Sequence, residues 1–166
     1  MGCDDCIGFT RGDNMAQRSS HPALSCTDGY AATWTDFLLL AGRVLLGWIF
    51  LATGWSKLGN IAGTAAYFAN LGMSPPELMA WIAGFVELGL GAALILGLAA
   101  RYAAIGTFLW VLIATVIAHR YWTYPPAQQG GQYNNFLKNL AIMGGALYVF
   151  VLGAGRYAVD AVLAKR

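Results

Sequence analysis

Four stretches of roughly 17 to 23 residues, each nearly free of charge, match the ~20 apolar residues that a helix needs to cross about 30 Å of hydrocarbon. They lie at about 36–58, 78–99, 102–118 and 134–152. From Phe37 to Leu152 the charged residues are Arg43, Lys57, Glu77, Glu87, Arg101, Arg120 and Lys138. The chain is 58% hydrophobic and 11% charged, less than half the charge of an ordinary soluble domain. These features predict an all-α fold: an integral membrane four-helix bundle over 36–166, preceded by a polar N-terminal tail, 1–35. The net charge of +2, without a basic stripe, excludes a nucleic-acid partner. Membrane lipids and other membrane subunits are the expected partners.

The tail has no apolar run before a small-residue cleavage site, so it does not read as a signal peptide. Met15 is a candidate alternative start, which leaves the membership of residues 1–14 open. Cys3-Asp4-Asp5-Cys6 has the spacing of half a metal or redox site. No second pair completes four zinc ligands, so Cys3, Cys6 and Cys26 read as reduced, inert thiols, and no metal site is predicted. Position 6 is Cys where a myristoylation signal has Ser or Thr.

Between the first two spans, TAAYFANLGM reads as a short interfacial helix with Tyr67, Phe68 and Leu71 on one side. Ser74-Pro75-Pro76-Glu77 resembles a capping box that starts the second span. Only Ala100 and Arg101 separate the second and third spans, which makes them an antiparallel hairpin. A polar loop with Pro125, Pro126, Gly130 and Gly131 precedes the fourth. With four crossings, Lys and Arg predominate on the side of the two termini, which the positive-inside rule places in the cytoplasm.

Ionisable residues inside the spans carry the functional information, because each costs several kcal/mol to insert and turns toward the bundle interior. On the first span Arg43, Gly47, Phe50, Gly54 and Lys57 share a face. On the second, Gly84, Glu87, Gly91 and Leu94 do so. Glu87 lies roughly 13 Å into its helix and must be protonated or paired. Arg43 is the partner expected from its depth. The pair reads either as a structural ion pair or as a proton-linked site. Lys57, His119, Trp122, Asn134 and Lys138 collect near the opposite boundary from the termini. Two cations and an imidazole there suit a quinone carbonyl or an anion; equally, the lysines reach headgroups and Trp122 joins the aromatic belt. Gly47, Gly54, Gly84, Gly91, Gly144 and Gly145 read as helix-packing positions, with Gly89 and Gly97 on a second stripe.

The run from Leu38 to Asp160 resembles the DoxX family of small four-helix membrane proteins. The resemblance rests on Arg43 followed by Gly54 and Lys57, on AAYFANLGMSPP, and on Glu87 with Gly89, Gly97 and Arg101. The segments NNFLKNLAIMGGALY and GAGRYAVD complete it. It implies a bacterial inner-membrane subunit of a redox assembly, since the family name comes from a subunit of a thiosulfate:quinone oxidoreductase. No haem, flavin or iron–sulfur motif is present, so no bound cofactor is predicted, and quinone or lipid are the expected ligands. Catalytic residues stay unknown, and the chain is not expected to be catalytic alone. Two other functions stay open: an assembly subunit docking by its tail and glycine faces, and a small proton-linked transporter using Glu87.

Overall fold

A computed structural model describes residues 22–164, with side-chain surroundings from residue 34 onward. The first 21 residues, including Cys3, Cys6 and the candidate start at Met15, lie outside the described residues, as does the proposed docking role of that part of the tail. All regular structure among the described residues is helical: α1 Pro22–Gly59, α2 Ile61–Asn70, α3 Pro76–Leu96, α4 Ala100–Ala118, α5 Pro126–Leu152 and α6 Val159–Leu163. A 3-10 turn, Tyr121–Thr123, joins α4 to α5. Trp34–Gly59, Pro76–Leu96, Ala100–Thr123 and Pro126–Leu152 are long and apolar enough to cross a membrane.

Three boundaries differ from the sequence reading: the turn between the second and third spans is 97–99, ending α3 at Leu96 and putting Ala100 and Arg101 in α4, and two helices start earlier than expected. Residues 22–35, read as irregular tail, are helical and continuous with the first span. Pro22 occupies a first-turn position that a proline tolerates; the residues up to Thr35 are mostly weak helix formers, but no proline interrupts them, so the helix of the apolar run extends back through them. Helix α5 begins at Pro126 rather than 134, so Gly130 and Gly131 are helical. Each costs about 1 kcal/mol against alanine, too little to stop a 27-residue helix started by proline. The Ser74–Glu77 capping box does not form. Helix α3 starts at Pro76, which puts its N-cap on Pro75, a residue without a capping side chain.

Helix α1 packs most extensively on α3 and α4 on α5, while α1 and α5 touch little. The α1–α3 seam is built on glycine. A Cβ on Gly47 would lie 2.7 Å from the Gly91 carbonyl oxygen, and one on Gly54 would lie 2.7 Å from the Leu88 nitrogen. The backbones therefore meet at separations that no side chain permits. Gly84 faces the side chain of Leu58, and Gly145 makes ordinary contact with Leu46. Gly89 and Gly144 face open space, so they are not packing positions within the chain. Gly97 is not on a helical stripe. It ends α3 at φ +66°, with Leu98 N–H bonding Ala93 O and Gly97 N–H bonding Leu94 O, the pattern of a Schellman cap.

The chain after α5 folds back across the α3–α4 turn. The Asp160 carboxylate accepts from Ala99 N–H (2.7 Å) and Ala100 N–H (2.8 Å), and so caps α4 from 60 residues away. Asp36 on α1 accepts from Arg156 N–H at 2.9 Å.

Candidate functional site

Glu87 is buried at 8% exposure, and each of its oxygens has a different donor. Lys57 Nζ lies 2.5 Å from Oε2, and Trp110 Nε1–H donates to Oε1 at 3.2 Å. The expected Arg43–Glu87 pair is therefore corrected: the cation is Lys57. The reason is side-chain direction. Gly47 opposes Gly91 and Gly54 opposes Gly84, so Glu87 stands roughly level with Leu51. Side chains on a helix tilt toward its N-terminus, and the two helices are antiparallel. Lys57 thus tilts down its helix while Glu87 tilts up toward it, and they meet near Gly54. Arg43, on the other side of that level, has the same tilt and so points away from Glu87.

Arg43 is completely buried at the opposite end of the seam. Its guanidinium donates to the Leu94 carbonyl (3.2 Å) and the Tyr157 carbonyl (2.6 Å), while its Nε has no hydrogen-bond partner. The cation sits against the C-terminal turn of α3, where the orphan carbonyls and the helix dipole favour positive charge. A Cβ at position 97 would strike the guanidinium, so glycine there serves both the left-handed cap and the arginine.

Two chambers flank the Lys57–Glu87–Trp110 cluster. The larger, about 510 Å³, is walled by Phe68, Leu71, Met79, Ile82 and Ile113, with Lys57, Glu87, Trp110 and His119 forming its polar end. The smaller, about 200 Å³, reaches the same four residues from the other side and is lined by Thr53, Asn135, Lys138 and Asn139. The short helix α2 positions the larger chamber's mouth: Tyr67, Phe68 and Leu71, read as one side of an interfacial helix, all line it. The Tyr67 phenol is pushed above the ordinary tyrosine range, by burial first and by its neighbour Tyr124 second.

Of the boundary group, the structure brings Lys57, His119 and Lys138 together and leaves two out. Asn134 is exposed, and Asn135, one residue on, lines the small chamber. Trp122 is 60% exposed and packs edge-on against Tyr121 and Phe136. His119 Nδ1 hydrogen-bonds Gln132 Oε1 at 2.8 Å, and Asn139 donates to Thr115 Oγ1 at 2.8 Å. Sequence reasoning missed Trp110, Asn135, Asn139 and Asp160. Trp110 carried a signal, because an indole in mid-span, away from the aromatic belt, must find an acceptor for its N–H. Among the described residues no group of three or more His, Cys, Asp or Glu is placed to hold a metal.

Comparison with known proteins agrees with this architecture. The chain is 33% identical over 123 residues to "Inner membrane protein YphA" of Escherichia coli (strain K12), covering 74% of this chain and 88% of that one. It is 30% identical over 131 residues to "Inner membrane protein YqjF" of the same organism, covering 79% and 95%. A 75-residue stretch, 45% of this chain and 54% of the relative, is 35% identical to "Putative oxidoreductase CatD" of Bacillus subtilis (strain 168). No solved structure matches significantly. The DoxX pattern itself matches residues 38–120, the stretch that holds Arg43, Lys57, Glu87, Trp110 and His119, and this small multi-helix membrane protein belongs to the DoxX family.

Proposed function

We propose that the chain is a quinone-binding subunit of a redox assembly in the bacterial inner membrane, with both termini in the cytoplasm and no redox centre of its own. The observation that carries this reading is the 510 Å³ chamber, whose largely apolar lining includes one part-buried, hydrogen-bonded charge cluster. Small-molecule sites have volumes of about 300–1,000 Å³, mostly apolar linings and a few fixed polar groups. A quinone needs that combination, a flat slot for its ring and donors for its carbonyl oxygens. Lys57 has three ammonium protons and gives one to Glu87, leaving donors to spare. His119 adds a second polar contact at the same end. The likeness to YphA and YqjF, both named as inner membrane proteins, supports the location, and the likeness to CatD, named for an oxidoreductase role, supports the redox setting.

The test is titration of the purified protein, in mild detergent, with a short-chain ubiquinone analogue, following quenching of tryptophan fluorescence. A saturable curve is expected, weakened about 10- to 100-fold by Lys57→Met, as befits the loss of one charge-assisted hydrogen bond. Absence of saturable binding, or equal affinity in the variant, overturns the proposal.

A further inference from the structure

Glu87, Lys57, Trp110 and His119 belong to two chambers at once, and the two differ in chemistry. The larger offers almost only carbon. The smaller is polar along a single face of α5, where Asn135, Lys138 and Asn139 follow at helical spacing, with Thr53 of α1 opposite. Its 200 Å³ has room for about six waters at ~30 Å³ each, and its walls supply the two to four polar partners that a buried water requires. Among the described residues neither Asn135 nor the Lys138 ammonium has a hydrogen-bond partner, so both are available to such water. Lys138 is exposed, and its long side chain can carry the ammonium to the headgroup level at that end.

Resting on the quinone reading above, we infer that the Lys57–Glu87 pair is a proton-transfer partition, passing protons between water in the small chamber and the ligand oxygen in the large one. A hydronium ion in the small chamber gives its proton to a Glu87 oxygen: one O–H bond breaks, one forms, and water remains. The carboxylic acid then gives that proton to an anionic ligand oxygen, and the carboxylate returns beside Lys57. No electrons move. The charged and titratable groups facing Glu87 are Lys57 from α1, His119 at the end of α4 and Lys138 from α5, with the Tyr67 phenol from α2 across the large chamber. Among the described residues Glu87 is therefore the one carboxylate in this group, able to carry a proton without leaving a net negative charge in hydrocarbon.

The experiment uses the full chain in lipid nanodiscs with 2-hydroxy-1,4-naphthoquinone, whose neutral and anionic forms differ in colour. After a pH jump, the colour of the bound dye reports its protonation rate. Asn135→Leu combined with Thr53→Val removes two of the small chamber's polar groups without altering the large one, and is expected to slow that rate at least tenfold at unchanged dye affinity. Glu87→Gln removes the carrier and is expected to slow it as much. A milder variant, Lys138→Gln, and deuterium exchange of the Trp110 indole N–H, slower when the chamber is dry, keep the test independent of the double variant's folding. If the dye binds but neither rate changes, the partition is overturned and the quinone site stands. If the dye does not bind to the unaltered protein, both fall.

Discussion

At the scale of single residues, two cations in one membrane-length helix, Arg43 fully buried and Lys57 half-buried, have opposite solutions. Arg43 is held by main-chain carbonyls at a helix end, Lys57 by a carboxylate. The difference follows from the donors: a planar guanidinium spans two carbonyls, whereas an ammonium is a compact charge that suits a single carboxylate. For a pair this buried, the attraction and the desolvation cost are both large, so removing one partner hurts more than removing both. Lys57→Met alone is expected to destabilise the protein by about 3–5 kcal/mol, because it leaves Glu87 charged among apolar walls or forces it to take a proton. Lys57→Met with Glu87→Gln should recover most of that loss. Reversible unfolding in mixed micelles measures both, and additive costs in the double variant would show that the two side chains do not interact.

At the scale of elements, the α1–α3 seam depends on glycines with no room and is indifferent to glycines with room. Gly47→Val forces a branched side chain against the Gly91 carbonyl and should cost about 1–3 kcal/mol or more, since main chain cannot move aside as a side-chain tip can. Gly89→Ala meets nothing within 4 Å and should leave the melting temperature unchanged or slightly raised. Thermal melts of both variants in one detergent check the contrast, and a Gly89→Ala loss equal to that of Gly47→Val would refute the assigned register. Much of this seam was legible in the sequence. Hydrocarbon length set the four spans, and the face that carries Arg43, Gly47, Gly54 and Lys57 does meet the face of Gly84, Glu87 and Gly91. The pairing across it was not legible. Depth from the nearest span end favoured Arg43 for Glu87, while the tilt of side chains along antiparallel helices, knowable only with the register, selects Lys57. Asp160 was missed for a related reason, because a cap supplied from 60 residues away has no local signature.

At the scale of the whole molecule, the bundle is two helix pairs, α1 with α3 and α4 with α5, and the open side between α1 and α5 is a groove lined by Leu38, Leu45, Tyr148 and Leu152. At that end a small core of Leu94, Ala103, Ala104 and Val149, with Leu46 packed against it, joins the pairs, and the segment after Leu152 adds polar ties. Tyr157 O accepts from Arg43 on α1, Asp160 caps α4, and Asp160 N–H bonds Gly97 O in the α3–α4 turn (3.1 Å). The magnitudes separate the two anchors. Loss of a carboxylate cap costs about 0.5–2 kcal/mol, whereas a buried guanidinium stripped of one of two acceptors adds a desolvation cost of about 1–3 kcal/mol. Asp160→Ala is therefore expected to lower the melting temperature modestly and to speed amide exchange at Ala99 and Ala100. Truncation after Leu152 should lower it further and also expose Arg43, measured as faster exchange through the last turn of α3. Equal melting temperatures for Asp160→Ala and the truncation would mean that Arg43 draws nothing from Tyr157, leaving the cap alone to close the bundle's end.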